Sequence, residues 1–96
     1  MLVLVAYDVS TQDAAGRKRL RRVAQECENF GVRVQKSLFE CVLRDQDWVR
    51  LKARLLNEYD KNQDSLRFYF LDELSRSRTE HHGIRRPTDL TGPLVI

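Results

Sequence analysis

Met1-Leu-Val-Leu-Val-Ala-Tyr7 is an unbroken apolar run rich in β-branched residues. It predicts a strand buried on both faces. Asp8-Val9-Ser10-Thr11 follows and carries turn chemistry. Leu20, Val23, Ala24, Cys27 and Phe30 then recur at three- and four-residue steps, the stripe of a helix with one face on a core. Arg17, Lys18, Arg19, Arg21 and Arg22 fall opposite it. Ser10 or Thr11 is placed to cap this helix, and Gly31 suits a left-handed cap at its other end. From Val32 to Leu43 apolar and polar positions alternate, but the phase slips at Gln35-Lys36-Ser37. A one-residue slip swaps faces, so a turn or bulge is predicted there between two short strands. Asp45 is placed to cap a second helix, with Asp47 in its first turn and Trp48, Leu51, Leu55, Leu56 and Tyr59 on its apolar face. After the polar connector 62–65, Leu66 to Asp72 reads as a fourth strand.

The order β-α-β-β-α-β predicts an α+β, ferredoxin-like domain: an antiparallel sheet with both helices on one face. Residues 1–72 form its core. Residues 73–91 are polar and weakly patterned, which predicts a loop, and the apolar end of 92–96 predicts an extra C-terminal strand. The aromatic fourth strand predicts a covered outer sheet face, hence a homodimer stacked sheet on sheet.

Composition narrows the class. The chain has 96 residues, 42% apolar and 32% charged, which is one small globular domain. No apolar run approaches the ~18 residues of a membrane span, and the N-terminal run has neither a basic leader nor a small-residue cleavage site. The net charge of +3 is modest, but Gly16 to Arg54 holds eleven basic and five acidic residues. Thirteen of the seventeen cations are Arg, the better fork for phosphate oxygens. A solvated helix face and a phosphate-binding face both fit that charge. Cys27 and Cys41 lack metal-ligand spacing and sit on apolar faces, as buried thiols of a reducing, cytoplasmic compartment would. His81 and His82 fall in the weakly patterned loop and read as surface.

Asp8 ends the apolar strand. As a lone carboxylate it suits an Asx turn; beside a two-fold axis, two copies would offer Mg²⁺ the hard oxygen donors it takes. Tyr7 packs or orients a phosphate. Arg33, Gln35, Lys36 and Ser37 surround the bend before Phe39 and together could border a phosphate-binding cleft. The Arg17–Arg22 cluster repels itself along one helix, so helix stability does not account for it. No Ser/His/Asp order, P-loop or GxGxxG is present.

Tyr7-Asp8-Val9-Ser10, the basic first helix and Arg33-Val34-Gln35-Lys36-Ser37-Leu38-Phe39, in that order, resemble the small CRISPR-associated endonuclease ("Cas-two") family, the partner of the CRISPR integrase in spacer acquisition. The resemblance runs from Met1 to Leu71 and more loosely through Leu94-Val95-Ile96, which resembles a last strand pairing with the other protomer. It implies a homodimer whose Asp8 residues face each other and hold Mg²⁺. It also implies hydrolysis of phosphodiester bonds in single-stranded RNA or double-stranded DNA, in CRISPR adaptation and antiviral defence. The alternative it implies is a non-catalytic DNA-bridging adaptor in the spacer-integration complex. Residue by residue, it makes Asp8 the catalytic metal ligand, supported by Tyr7, Arg33 and Phe39. The first-helix arginines, best matched by Arg19 and Arg21 with Arg17 a third, join Lys36 and Ser37 as the nucleic-acid-binding set. A small-ligand regulatory module is a further use of the same fold.

Overall fold

The computed structural model describes residues 1–84. Seven elements run in the order β1 (Leu2–Asp8), α1 (Ala14–Glu28), β2 (Val32–Gln35), β3 (Leu38–Val42), α2 (Asp45–Glu58), β4 (Ser65–Leu71) and α3 (Leu74–Ser77). The strands form one sheet in the order β2-β3-β1-β4, and each neighbouring pair is antiparallel. This is the expected ferredoxin-like arrangement, with the two apolar-striped strands inside and the shorter or more polar ones at the edges.

Period-two alternation along β1 sends Val3, Val5 and Tyr7 to one face, where they meet Phe39, Cys41 and Leu43 from the β3 side. Val23 and Cys27 of α1 and Leu51 and Leu55 of α2 close the core over them, all fully buried. Each such side chain contributes roughly 1.5–3 kcal/mol by leaving water. Trp48 caps the β4 end, edge-on to Phe68 at 4.9 Å and to Phe70 at 5.1 Å. The opposite face of the sheet carries Leu2, Leu4, Ala6 and Asp8, with Leu4 between Glu40 and Tyr69.

Several local expectations change. Asp13 caps α1, its Oδ1 accepting from the Gly16 amide at 2.8 Å, where Ser10 or Thr11 was expected. Gly31 is not a left-handed cap; among the described residues only Gly83 has a positive φ, at 111°. Glycine is required at 31 because a Cβ there would run into the Cys41 sulfur and sit 2.5 Å from the Glu40 carbonyl oxygen. Arg44 occupies the cap position of α2, leaving Asp45 and Asp47 both in the first turn, where the helix dipole favours them. Leu56 is exposed, so the apolar face of α2 is narrower than its sequence stripe. The slip at 35–37 is a β2–β3 turn with a register shift between Arg33 and Gln35. Part of the expected 73–91 loop is the single turn α3. Residues 85–91 and the expected strand 92–96 lie outside the described residues. Among the described residues no helix is long and apolar enough to cross a membrane.

Candidate active site and nucleic-acid cleft

β1 delivers two neighbouring side chains to opposite sides of the sheet. Asp8, its last residue, pairs with Ser65 of β4 and is exposed. Its carboxylate makes no hydrogen bond or ion pair among the described residues. Tyr7 points the other way, into the helix-covered side, and is 5% exposed.

On that side a cleft of about 430 Å³ opens between α1 and the β2–β3 turn. Leu20, Ala24 and the Tyr7 ring form its apolar lining, and Arg21, Arg33, Lys36 and Ser37 supply its polar groups. The turn and β1 are tied together. The Tyr7 amide donates to the Ser37 carbonyl at 3.1 Å, and the Tyr7 hydroxyl donates to the Lys36 carbonyl at 3.3 Å. Burial raises the Tyr7 pKa, with the nearby Arg33 charge pulling the other way, so the phenol is a neutral hydrogen-bonding group. Tyr7 stacks on Phe39 with ring centroids 6.2 Å apart. The Arg33 guanidinium lies over the same Phe39 ring, 5.1 Å from its centroid, and pairs with Glu28 at 3.4 Å. Phe39 itself is fully buried. It therefore supports Tyr7 and Arg33 from below and presents no surface to a substrate.

The first-helix arginines do not act as one cluster. Arg21 faces the cleft. Arg17 donates to the Thr11 carbonyl at 3.3 Å. Arg19 is committed to Asp64 through two bonds, Nε to Oδ2 at 2.8 Å and Nη2 to Oδ1 at 3.2 Å. The Asp64 carboxylate also accepts from the Ser10 amide at 3.0 Å and the Asp60 amide at 2.9 Å. Arg19 thus holds the fold rather than reaching into the cleft. Arg22 and Arg54 span the two helices, to Glu58 at 4.0 Å and Glu26 at 3.4 Å. Asp64 was absent from the sequence expectations. Its signal is faint: an acid in the polar connector, one residue before the strand position that pairs with Asp8.

The donor set bears on a hard cation. Among the described residues no three His, Cys, Asp or Glu side chains converge. Cys27 and Cys41 are buried thiols that burial pushes up to about 12, so neither offers a thiolate. His82 lies beside Glu80 at 3.4 Å in the segment after α3, where it borders a cleft with Val34, Gln35 and Lys36. Asp8 fits Mg²⁺ as one unengaged oxygen ligand, which waters and a second copy's Asp8 would have to complete. The structure thus brings Tyr7, Arg21, Arg33, Lys36 and Ser37 together, places Phe39 beneath them, and sets Asp8 on the other side of the sheet.

Comparison with known proteins joins this geometry to a family. The CRISPR associated protein Cas2 family matches residues 1–79. The CRISPR-associated endoribonuclease Cas2 of Chlorobaculum tepidum is 54% identical over the whole of both chains. The CRISPR-associated endonuclease Cas2 of Halalkalibacterium halodurans is 44% identical, again over the whole of both. The crystal structure of Streptococcus pyogenes Cas2 superposes with a TM-score of 0.78 at 48% identity, covering 86% of this chain and 100% of that one. The match spans every element that builds the cleft and the Asp8 strand end, and the chain belongs to the CRISPR-associated Cas2 family.

Proposed function

We propose that this chain is a Mg²⁺-dependent phosphodiesterase of CRISPR adaptation, acting as a homodimer on RNA or DNA strands. The observation that carries the reading is the pairing of an unengaged, exposed Asp8 carboxylate with a cationic cleft built around the neighbouring Tyr7. The names of the relatives, endoribonuclease and endonuclease, support hydrolysis of a nucleic-acid backbone. The outer sheet face supports the dimer: Val42, Tyr69 and Leu71 are 37%, 43% and 38% exposed beside Leu4 and Ala6, an apolar surface suited to a second copy.

In this mechanism Arg21, Arg33 and Lys36 bind phosphate oxygens along the cleft, and the neutral Tyr7 hydroxyl and the turn backbone hold that rim in place. Asp8 from each protomer would hold the ion at the dimer axis. When bound there, Mg²⁺ supplies positive charge against the phosphoryl oxygens and acidifies a water for attack. Cleavage would leave 5′-phosphate and 3′-hydroxyl ends. Asp8→Ala is expected to reduce Mg²⁺-dependent cleavage of RNA and duplex DNA to background while leaving the thermal melt unchanged. A variant that cuts as fast as the parent would overturn the reading.

A specific observation favours a second reading, a DNA-bridging adaptor for the CRISPR integrase. The lining of the cationic cleft all comes from one chain, whereas the described residues bring one carboxylate, Asp8, to the candidate metal position. In that case Asp8→Ala retains duplex binding and supports spacer integration, and binding weakens steeply with salt and shows little sequence preference.

A further inference from the structure

Glu28 is the last residue of α1, where the helix dipole is negative, and no basic residue shares its last turn. A carboxylate there works against the helix. Its partner is Arg33, at 3.4 Å, and the pair is 41% exposed on the arginine side and 60% on the glutamate side. Among the described residues no carboxylate lines the cleft itself, whose charged lining is Arg21, Arg33 and Lys36. Arg21 and Lys36 have no ion pair among the described residues, so Arg33 alone of the three meets an internal anion.

We infer that Glu28 is a placeholder for the substrate phosphate: it holds the Arg33 guanidinium over the Phe39 ring until a phosphodiester displaces it, and so sets how tightly the cleft takes its strand. The inference rests on the proposed nucleic-acid reading of the cleft and adds a residue that tunes it. The geometry suits the role. The Phe39 ring gives the guanidinium a cation–π seat, 5.1 Å from its centroid. The Glu28 contact, long and solvent-exposed, is weak enough to exchange. A phosphate offers Arg33 the same charge-assisted bonds with two oxygens, along with the attraction of Arg21 and Lys36 that Glu28 does not reach.

The test is binding of a fluorescently labelled single-stranded oligonucleotide, followed by anisotropy at several salt concentrations, for the parent, Glu28→Gln, Arg33→Gln and the double variant. Glu28→Gln is expected to bind about 2- to 5-fold tighter than the parent, the range of one exposed ion pair. It should also show a salt dependence steeper by about one released counterion. In the Arg33→Gln background the same change is expected to bring no gain. Unchanged or weaker binding by Glu28→Gln overturns the placeholder, as does an equal gain with and without Arg33, which would mark a general charge effect. A parent that binds no oligonucleotide removes the cleft reading itself, whereas a parent that binds with no gain from Glu28→Gln removes only the placeholder.

Discussion

Asp64 is the residue on which the order of the Asp8 region depends, and its removal should be costly. The side chain is 0% exposed and serves three groups at once: the Arg19 guanidinium and the amides of Ser10 and Asp60. Asp64→Ala leaves two backbone donors without an acceptor in a half-buried loop. An unsatisfied group of this kind costs about 1–3 kcal/mol, and water reaching one of them lowers the sum, so about 3 kcal/mol is expected. The figure takes no credit for the ion pair, whose guanidinium reaches solvent. In a domain of this size it corresponds to a fall in Tm of about 12–24 °C. The pH dependence has a definite sign. The Arg19 hydrogen bonds, followed by the two amide bonds, hold the Asp64 pKa below its ordinary value against the opposing effect of burial. A depressed carboxylate stabilises the fold fully above its unfolded pKa of about 3.9 and loses that contribution as the pH falls through the lower folded value. Calorimetry of parent and Asp64→Ala should therefore show a wide, flat gap in Tm from neutral pH down to about pH 5, narrowing in stronger acid. A Tm within about 3 °C of the parent at neutral pH, or a gap that does not narrow in acid, would refute the assignment of Asp64 as the anchor.

Two further outcomes follow from the same geometry. Gly31→Ala drives a Cβ against the Glu40 carbonyl and the Cys41 sulfur, so it should cost about 2 kcal/mol and lower Tm by about 10 °C, read by thermal melt at neutral pH. Arg21→Gln should weaken oligonucleotide binding with Tm unchanged, while Arg19→Gln should lower Tm and affect binding only through folding; anisotropy and melts on the two variants check the separation, and the reverse pattern would reassign the two arginines.

The architecture was readable because each element carries a period of its own. The two helical stripes, the apolar first strand and the parity change at Gln35-Lys36-Ser37 together dictate β-α-β-β-α-β, and the sheet order follows from antiparallel pairing around β1. What escaped are effects of tertiary approach, which no local period encodes. Gly31 looked like a cap because glycine often ends a helix, yet its reason is the β3 backbone lying against it. Arg19 and Arg21 stand two residues apart on α1, about 200° around the helix, so the sequence sets them on different sides without saying what either side meets. Only the fold shows that one meets Asp64, 45 residues on, while the other meets the cleft. The resemblance grouped Phe39 with Tyr7 and Arg33, and the structure keeps that grouping while showing that Phe39 lies beneath the other two. The single turn α3 was invisible because four residues are too few to establish a period.

The separation of Tyr7 from Asp8 has a consequence for how the chain could act on a nucleic acid. Consecutive strand residues point to opposite faces, so the cationic cleft and the acidic strand end lie on two sides of one sheet. A phosphate seated against Arg33 in the cleft lies on the Tyr7 side of the sheet, opposite to the side that carries Asp8. A strand could instead pass around the β2–β3 turn, whose Lys36 and Ser37 both line the cleft and hold Tyr7 through their carbonyls. The cleft would then grip a phosphate at some distance from the position nearest Asp8. Binding and cutting would thus rest on different residues of one strand end, and the proposed binding residues Arg21, Arg33 and Lys36 all come from a single chain. A family member could lose use of Asp8 and keep its hold on nucleic acid, so the enzyme and adaptor readings describe one scaffold with its two faces engaged to different degrees.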